Sequence, residues 1–175
     1  MSARDIDGRF AQGWGGQSPD GVHVNVLLAR RGSATAAAIA TAFTAPSPGF
    51  TPVLASIGPD QQSYQTLNPP TVILNKSAPA GPEHENLIFG ASSVGISRGV
   101  LDIVAEGLIE ADQESIVLVS LWVDAAASDE TLVCQNARVA TAAAVREAVL
   151  GRDDAAAKDL VKHRETIRHP FYGGK

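Results

Sequence analysis

Cysteine occurs once in these 175 residues, at Cys134, so no disulfide can form within the chain. Its setting, Leu132-Val133-Cys134 inside a helical pattern, reads as a small buried apolar side chain. No CxxC or HExxH spacing is present, and no metal is expected. Aromatic residues are scarce, at 5% of the chain. Positive charge is also short: 14 Lys and Arg against 19 Asp and Glu leave a net charge of −5, with a pI near 5.3. A nucleic-acid binder needs a basic face to displace phosphate counterions, and no such module is visible, so no nucleic-acid partner is expected. No apolar run reads as long enough for a membrane span, and no membrane partner is expected. The start, Met1-Ser2-Ala3-Arg4-Asp5-Ile6-Asp7, is too polar for a signal peptide, which makes a cytoplasmic protein the expectation.

Hydrophobic residues at 45% and charged residues at 19% are ordinary globular composition. A chain of this size buries roughly 70% of its unfolded surface without a disulfide or metal. No internal repeat or second-domain boundary is evident. We divide the chain into an N-terminal arm (1–20), one domain (21–171) and a short tail (172–175).

Ser18-Pro19-Asp20-Gly21 is a turn signal, and Val22 to Leu28 after it reads as a strand. Gly13-Trp14-Gly15-Gly16 does not read as a phosphate loop, since no strand is expected before it and no helix after it. A helix is predicted from Ser33, its N-cap, to about Thr44, with Ala36, Ile39, Ala40 and Phe43 as a buried stripe. Strands are predicted over 50–57 and 71–74, with a fourth short one over 86–89. A long helix fits 92–106, carrying Val100, Leu101, Val104 and Leu108 on one side and Gly107 at its end. Ser115 to Val123 reads as a buried strand. The last long helix runs from Asp129 to Leu150 with Gly151 as its stop, and a short charged helix fits 153–164. The order β-α-β-β-(β)-α-β-α is a two-layer α/β (α+β) architecture.

His23 is the most informative polar residue. Val22, Val24, Val26 and Leu28 share one strand face; His23, Asn25 and Leu27 share the other. A polar pair backed by an aliphatic face suits a site lining. Alternation alone also produces a hydrogen-bonded or solvent-facing histidine, and the pattern by itself favours that plainer reading. His84 falls in an expected loop, His163 in a charged helix and His169 near the end, and none of them stands out. Lys76 follows a strand, where it meets an anion or solvent. Gly90, just before the helix beginning near Ser92 and Ser93, offers only a weak anion-site signal.

Taken in order, Val22-His23-Val24-Asn25, Gly49-Phe50-Thr51-Pro52-Val53-Leu54-Ala55, Leu74-Asn75-Lys76, Phe89-Gly90, Val104-Ala105-Glu106-Gly107-Leu108-Ile109 and His169-Pro170-Phe171 resemble the formaldehyde-activating enzyme family. The resemblance runs from about Gly21 to Phe171. It implies a mixed sheet with a left-handed βαβ unit of the ribosomal-protein type, a homopentamer, and an active site between neighbouring subunits. It also implies condensation of formaldehyde with tetrahydromethanopterin, or a related reduced pterin, to the methylene derivative and water. The family's catalytic histidine falls on His23, and its leucine and lysine pterin contacts fall on Leu54 and Lys76. Three further pterin-binding positions depart from the family: an aspartate is Asn25, a threonine is Ala78, and a glutamine is Ser93. The usual Tyr-Asn-Tyr-Glu-Ala-Thr stretch becomes Gln135-Asn136-Ala137-Arg138-Val139-Ala140-Thr141.

Imidazole, with an ordinary pKa of about 6.5, can protonate a carbinolamine hydroxyl so that it leaves as water. Two other readings remain open beside the lyase. One is a paralogue that binds formaldehyde, a folate or another reduced pterin as a C1 carrier or sensor. The other is a structural assembly protein.

Overall fold

The computed structural model describes residues 5–172. The polar start, Met1 to Arg4, and residues 173–175 of the expected tail lie outside the described residues. Strand β1 (Phe10–Gly15) pairs antiparallel with β2 (Val22–Arg30). Helix α1 (Ala34–Thr44) follows, then the two-residue strands β3 (Val53–Leu54), β4 (Ser56–Ile57) and β5 (Gln65–Thr66), and then β6 (Thr71–Asn75). A continuous helical stretch consists of α2 (Pro82–Asn86), one wide π-type turn (Leu87–Ala91) and α3 (Ser92–Ala105). Strand β7 (Ser115–Val123), helix α4 (Glu130–Leu150) and helix α5 (Asp154–Lys162) complete the chain. The main sheet has the order β1-β2-β7-β6-β3, and β4 pairs separately with β5. Strands β6 and β7 are parallel and joined by the α2–α3 crossover; the other pairs are antiparallel. This is the mixed α/β arrangement that the element order predicts.

Period-2 alternation decides which way the sheet faces. Val22, Val24, Val26 and Leu28 are 0–1% exposed and form the central core with Ile73 and with Val117, Val119, Leu121 and Val123. Helices α3 and α4 seal this face through Ile96, Val100, Ile103, Val133, Ala137, Ala140, Ala144 and Val145. Each fully buried Val, Leu or Ile contributes about 1.5–3 kcal/mol. Among the described residues the opposite face has a helix packed on it at one end alone. There Ala36 and Ile39 of α1 pack on Ala29 and Val72, with Leu27, Ile116 and Leu118 beside them.

Helix signals were legible. The Ser33 hydroxyl accepts from the Ala36 N–H at 3.0 Å, and the Asp129 carboxylate accepts from the Leu132 N–H at 2.9 Å. Gly151 stops α4 at a φ of 81°.

Several expectations need correction. Residues 10–15, read as part of an arm, are the edge strand β1. Residues 86–89 form no strand. Pro82 at the start of α2 and Glu83 in its first turn nucleate a helix, and Leu87 and Ile88 in the π turn that follows are buried, at 3% and 1%. Consecutive buried apolar residues mimic a strand in sequence. His84 therefore sits in α2 and not in a loop. The 50–57 segment is broken into β3 and β4. Ala40 and Phe43 are exposed, as is Leu101; the buried stripe of α3 is Ile96, Val100 and Ile103. Cys134 is only partly buried. The stretch 82–105 also has the length and mean hydropathy (1.5) of a membrane span, but half of that window is buried inside the fold, as in a core helix.

Glycines set the spacing between β1, α4 and α3. A Cβ at Gly13 would lie 2.1 Å from the Ala140 carbonyl oxygen, one at Gly15 2.1 Å from that of Asn136, and one at Gly95 2.2 Å from that of Cys134. Gly13 and Gly15 alternate with Trp14, so their pattern lets β1 lie directly on the α4 backbone while Trp14 points the other way. On the rim of the helix pair, Arg138 forks onto Asp102 through two 2.7 Å bonds. This gives the substituted 135–141 stretch a structural role. Gly15→Ala is expected to lower stability in urea unfolding by about 1–3 kcal/mol, through forced backbone displacement. Gly90→Ala, where an added methyl meets nothing within 4 Å, is expected to stay within about 0.5 kcal/mol of the wild type.

Candidate active site

The half of the sheet that α1 leaves open carries the chain's unusual polar and aromatic residues. In register, Trp14 lies opposite His23, and His23 opposite Trp122. Gln12 and Ser120 flank Asn25 in the same way. Lys76 follows directly on β6, and its N–H donates 2.7 Å to the Leu121 carbonyl. That bond carries the strand's alternation one residue further and brings the Lys76 side chain to the open face beside Trp122.

The side chains converge on His23. Lys76 Nζ lies 2.6 Å from His23 Nδ1, and His23 Nε2 lies 2.9 Å from Gln12 Oε1. An ammonium has only protons to give, so Nδ1 accepts from Lys76 and Nε2–H donates to Gln12. The arrangement thus selects one neutral tautomer. Burial, followed by the neighbouring Lys76 charge, holds the His23 pKa below its usual 6.5. Burial lowers that of Lys76 from 10.5 to about 8. Among the described residues no carboxylate lies within 4.0 Å of Lys76 Nζ to offset this. Near neutrality His23 is uncharged, and Lys76 holds a proton that it can readily lose.

The walls are aromatic. Trp14 and Trp122 stack with centroids 5.9 Å apart and planes 30° apart, and the Trp14 ring lies 5.9 Å from His23. The Trp14 Nε1–H is satisfied by the Gly16 carbonyl at 2.6 Å. His169, Pro170 and Phe171 form the rim of the resulting cleft, whose volume is about 730 Å³. Both tryptophans of the chain line it.

Of the residues singled out from sequence, His23 and Lys76 come together here. Asn25 is exposed on the same face, one alternation step from His23. Leu54 shares the face but not the cleft. It pairs with Val72 on β3, three strand spacings (about 14 Å) and four residues from His23. Ala78 is exposed beyond the end of β6, against Gly49. Asn75 ties these loops together, its Nδ2 donating to the Gly49 and Ser77 carbonyls at 2.6 and 2.7 Å. Ser93 lies on the helix-covered side of the sheet, in a separate groove of about 350 Å³ with Ser56, Tyr64, Phe89 and Arg98.

Gln12, Trp14 and Trp122 were not found by sequence reasoning. Strand β1 was not expected, so nothing placed Gln12 or Trp14 opposite His23. Trp122 sits inside an apolar run, where a tryptophan reads as core. His169, unremarkable in sequence, is at the rim. His84 is structural: its Nδ1 accepts from the Ala80 N–H at 2.9 Å, and its Nε2–H donates to the Val123 carbonyl at 3.0 Å. Among the described residues no group of three or more His, Cys, Asp or Glu is placed to hold a metal.

Replacing the neutral partner of Nε2 by a carboxylate tests this electrostatic picture. In Gln12→Glu the new anion favours imidazolium, so the His23 pKa is expected to rise by about one unit or more in an NMR titration. An unchanged value would mean that Gln12 does not contact the ring in solution.

Taken over most of its length, the chain is similar to known proteins. At 27% identity over 158 residues, the chain matches a protein of Methanosarcina barkeri named 5,6,7,8-tetrahydromethanopterin hydro-lyase, covering 89% of this chain and 85% of that one. It is 29% identical over 163 residues to the bifunctional enzyme Fae/Hps of Methanococcoides burtonii and 28% identical over 160 residues to that of Methanothrix thermoacetophila, spanning 39% of the length of each. The family model described as formaldehyde-activating enzyme matches residues 14–172, a span that takes in His23, Lys76, both tryptophans and the His169–Phe171 rim, and on this match the chain belongs to the formaldehyde-activating enzyme family.

Proposed function

We propose that this protein is a hydro-lyase that condenses formaldehyde with a reduced pterin of the tetrahydromethanopterin type, giving the methylene-pterin and water. The observation that carries this reading is the Lys76 Nζ–His23 Nδ1 contact of 2.6 Å at the base of an aromatic cleft. A secondary amine adds to formaldehyde to give a carbinolamine. Its C–O bond breaks only when the hydroxyl receives a proton and leaves as water. In the proposed step His23 Nε2–H, released from Gln12, gives that proton, while Nδ1 takes one from Lys76. The low pKa of His23 is no obstacle to this relay, because the ring need not hold two protons for long. Trp14 and Trp122 supply flat apolar surface against which a pterin ring can stack, and holding both reactants in one cleft supplies proximity.

The named pterin contacts support a site completed by a neighbouring copy. Leu54 and Ala78 lie outside the His23 cleft, and Ser93 is on the other side of the sheet. One chain cannot bring them to the same ligand, whereas another copy's helix-side groove could face the open sheet. Every described residue from 151 to 172 is exposed, including Leu160, Val161 and Ile167 of the C-terminal segment. This favours the homopentamer that the family resemblance implies. Light scattering is expected to give about five times the chain mass of 18.2 kDa; a monomer would remove the shared-site reading.

A second reading, a binding paralogue without useful turnover, is favoured by Asn25, Ala78 and Ser93 at positions where the family carries more polar or charged contacts. One set of assays separates the two. Condensation of formaldehyde with tetrahydromethanopterin, and separately with tetrahydrofolate, is expected to exceed the spontaneous rate with the better pterin. His23→Ala is expected to reduce that excess by about 10²–10⁴-fold. The excess rate is expected to fall as pH rises through about 8, where Lys76 loses the proton to be relayed. Quenching of Trp14 and Trp122 fluorescence by a pterin without any acceleration would establish the binding paralogue instead.

A further inference from the structure

We infer that Lys76 is a covalent catalyst, its Nζ capturing formaldehyde as a methylene iminium that is then passed to the acceptor amine; this rests on formaldehyde being the substrate proposed above and moves the carbinolamine that His23 dehydrates from the pterin to Lys76. The placement of the side chain carries the inference. Lys76 Nζ is partly withdrawn from water in a cleft walled by Trp14 and Trp122, with Phe171 at the rim. A lysine that holds the fold normally has a carboxylate partner, and among the described residues none lies within 4.0 Å. Its polar contact is the imidazole, at 2.6 Å. The ionisable groups that face it are His23, from β2, and His169, from the C-terminal segment. Neither carries a negative charge that would hold the ammonium form in place. Desolvated lysines of this type are the amines that form Schiff bases with carbonyl substrates.

Lys76 first gives a proton to His23 Nδ1, freeing the Nζ lone pair. Nζ attacks the formaldehyde carbon; the N–C bond forms as the C=O π bond breaks, the oxygen takes up a proton, and Nζ loses one, giving a neutral carbinolamine. The imidazolium then protonates the hydroxyl. The C–O bond breaks, water leaves, and Nζ=CH2+ remains. The acceptor amine adds to the methylene carbon, its proton passes to Nζ, and the Nζ–C bond breaks. Lys76 is released as the free amine with the methylene iminium now on the acceptor, and the proton lost when a second acceptor nitrogen closes on the methylene carbon restores the Lys76 ammonium. No oxidant or reductant is consumed. Formaldehyde, otherwise hydrated in water, is thereby held in its dehydrated oxidation-equivalent form until the acceptor arrives.

The test is reductive trapping of the full-length protein with formaldehyde and cyanoborohydride near neutral pH, followed by peptide mass mapping. An iminium on Lys76 is reduced to methyl-lysine. Lys76 is expected to gain label about tenfold or more faster than the exposed Lys158 and Lys162, because its Nζ lies in the cleft beside the imidazole that takes its proton, with its own pKa lowered by burial to about 8. Adding tetrahydromethanopterin before the reductant is expected to discharge the label from Lys76 and not from the others. Lys76→Arg keeps the charge and is expected to lose the accelerated condensation; an Arg variant with full activity would overturn the inference. Acceleration of condensation by a wild-type protein whose Lys76 is never labelled would also overturn it, while leaving the proposed function intact. Selective labelling of Lys76 with no acceleration would uphold the lysine chemistry and refute the condensation.

Discussion

Everything at the site follows from the unequal covering of a single sheet. Strands β2 and β7 alternate strictly, so one set of their side chains must meet α3 and α4 and the other set must face away. The inward set is aliphatic and essentially fully buried. Among the described residues α1 is the one helix packed on the outward set, and an 11-residue helix is about 16 Å long. It reaches Leu27, Ala29, Val72, Ile116 and Leu118. His23, Lys76, Trp14 and Trp122 occupy the uncovered remainder. The cleft is therefore the unroofed end of the fold's second layer, built on the strands that carry the core, and its geometry inherits their rigidity.

Such a position sets the chemistry of Lys76. An ammonium half withdrawn from water and given no carboxylate is destabilised relative to the amine, which is why its pKa falls to about 8. The unfolded chain keeps that proton up to about 10.5. Between these values the unfolded state binds more protons, so the Lys76 contribution to stability rises with pH across that window and is at its least favourable at neutrality. His23 acts with the same sign at lower pH: the unfolded ring protonates first as pH falls below 6.5, which draws the chain toward unfolding. Lys76 therefore weakens the fold where the reaction is proposed to run, whereas His23 does so only at more acid pH. Partial exposure of both keeps that penalty small. Groups that trade stability for an unpartnered charge in a cleft are what a site needs and what a core avoids.

Much of this was legible in the chain, and the failures have identifiable causes. The face carrying His23 could be read because Val22, Val24, Val26 and Leu28 leave no doubt about the other face. The ends of α1 and α4 were written in Ser33, Asp129 and Gly151. Residues 86–89 misled because Leu87, Ile88 and Phe89 are a consecutive apolar run, which a buried strand and a buried helical turn share. Strand β1 was missed because Gly13 and Gly15 are poor strand formers, chosen for contact with the α4 backbone and not for propensity. With β1 went Gln12 and Trp14, half of the setting of His23. The Lys76–His23 pairing joins residues 53 apart through β7, and no local pattern encodes a register between non-adjacent strands. Only the resemblance placed both residues in one site.

The substituted positions can now be weighed by where they stand. Ala78 and Ser93 do not touch the His23–Lys76 pair in the chain, and Asn25 lies beside it without replacing either member. The residues proposed to move protons and to capture carbon are thus separable from those expected to recognise the pterin. Loss of a good polar contact weakens binding by about 1–3 kcal/mol without altering a proton relay some distance away. Erosion at Asn25, Ala78 and Ser93 therefore argues for a changed acceptor more strongly than for lost chemistry. The two tryptophans point the same way. Stacking on Trp14 and Trp122 is tolerant of ring substituents, since any flat conjugated ring offers a face, and it can offset polar contacts that have gone. A cleft that holds a proton-loaded lysine against a neutral histidine, walled by rings with little preference among planar ligands, is suited to keeping its reaction while its acceptor drifts.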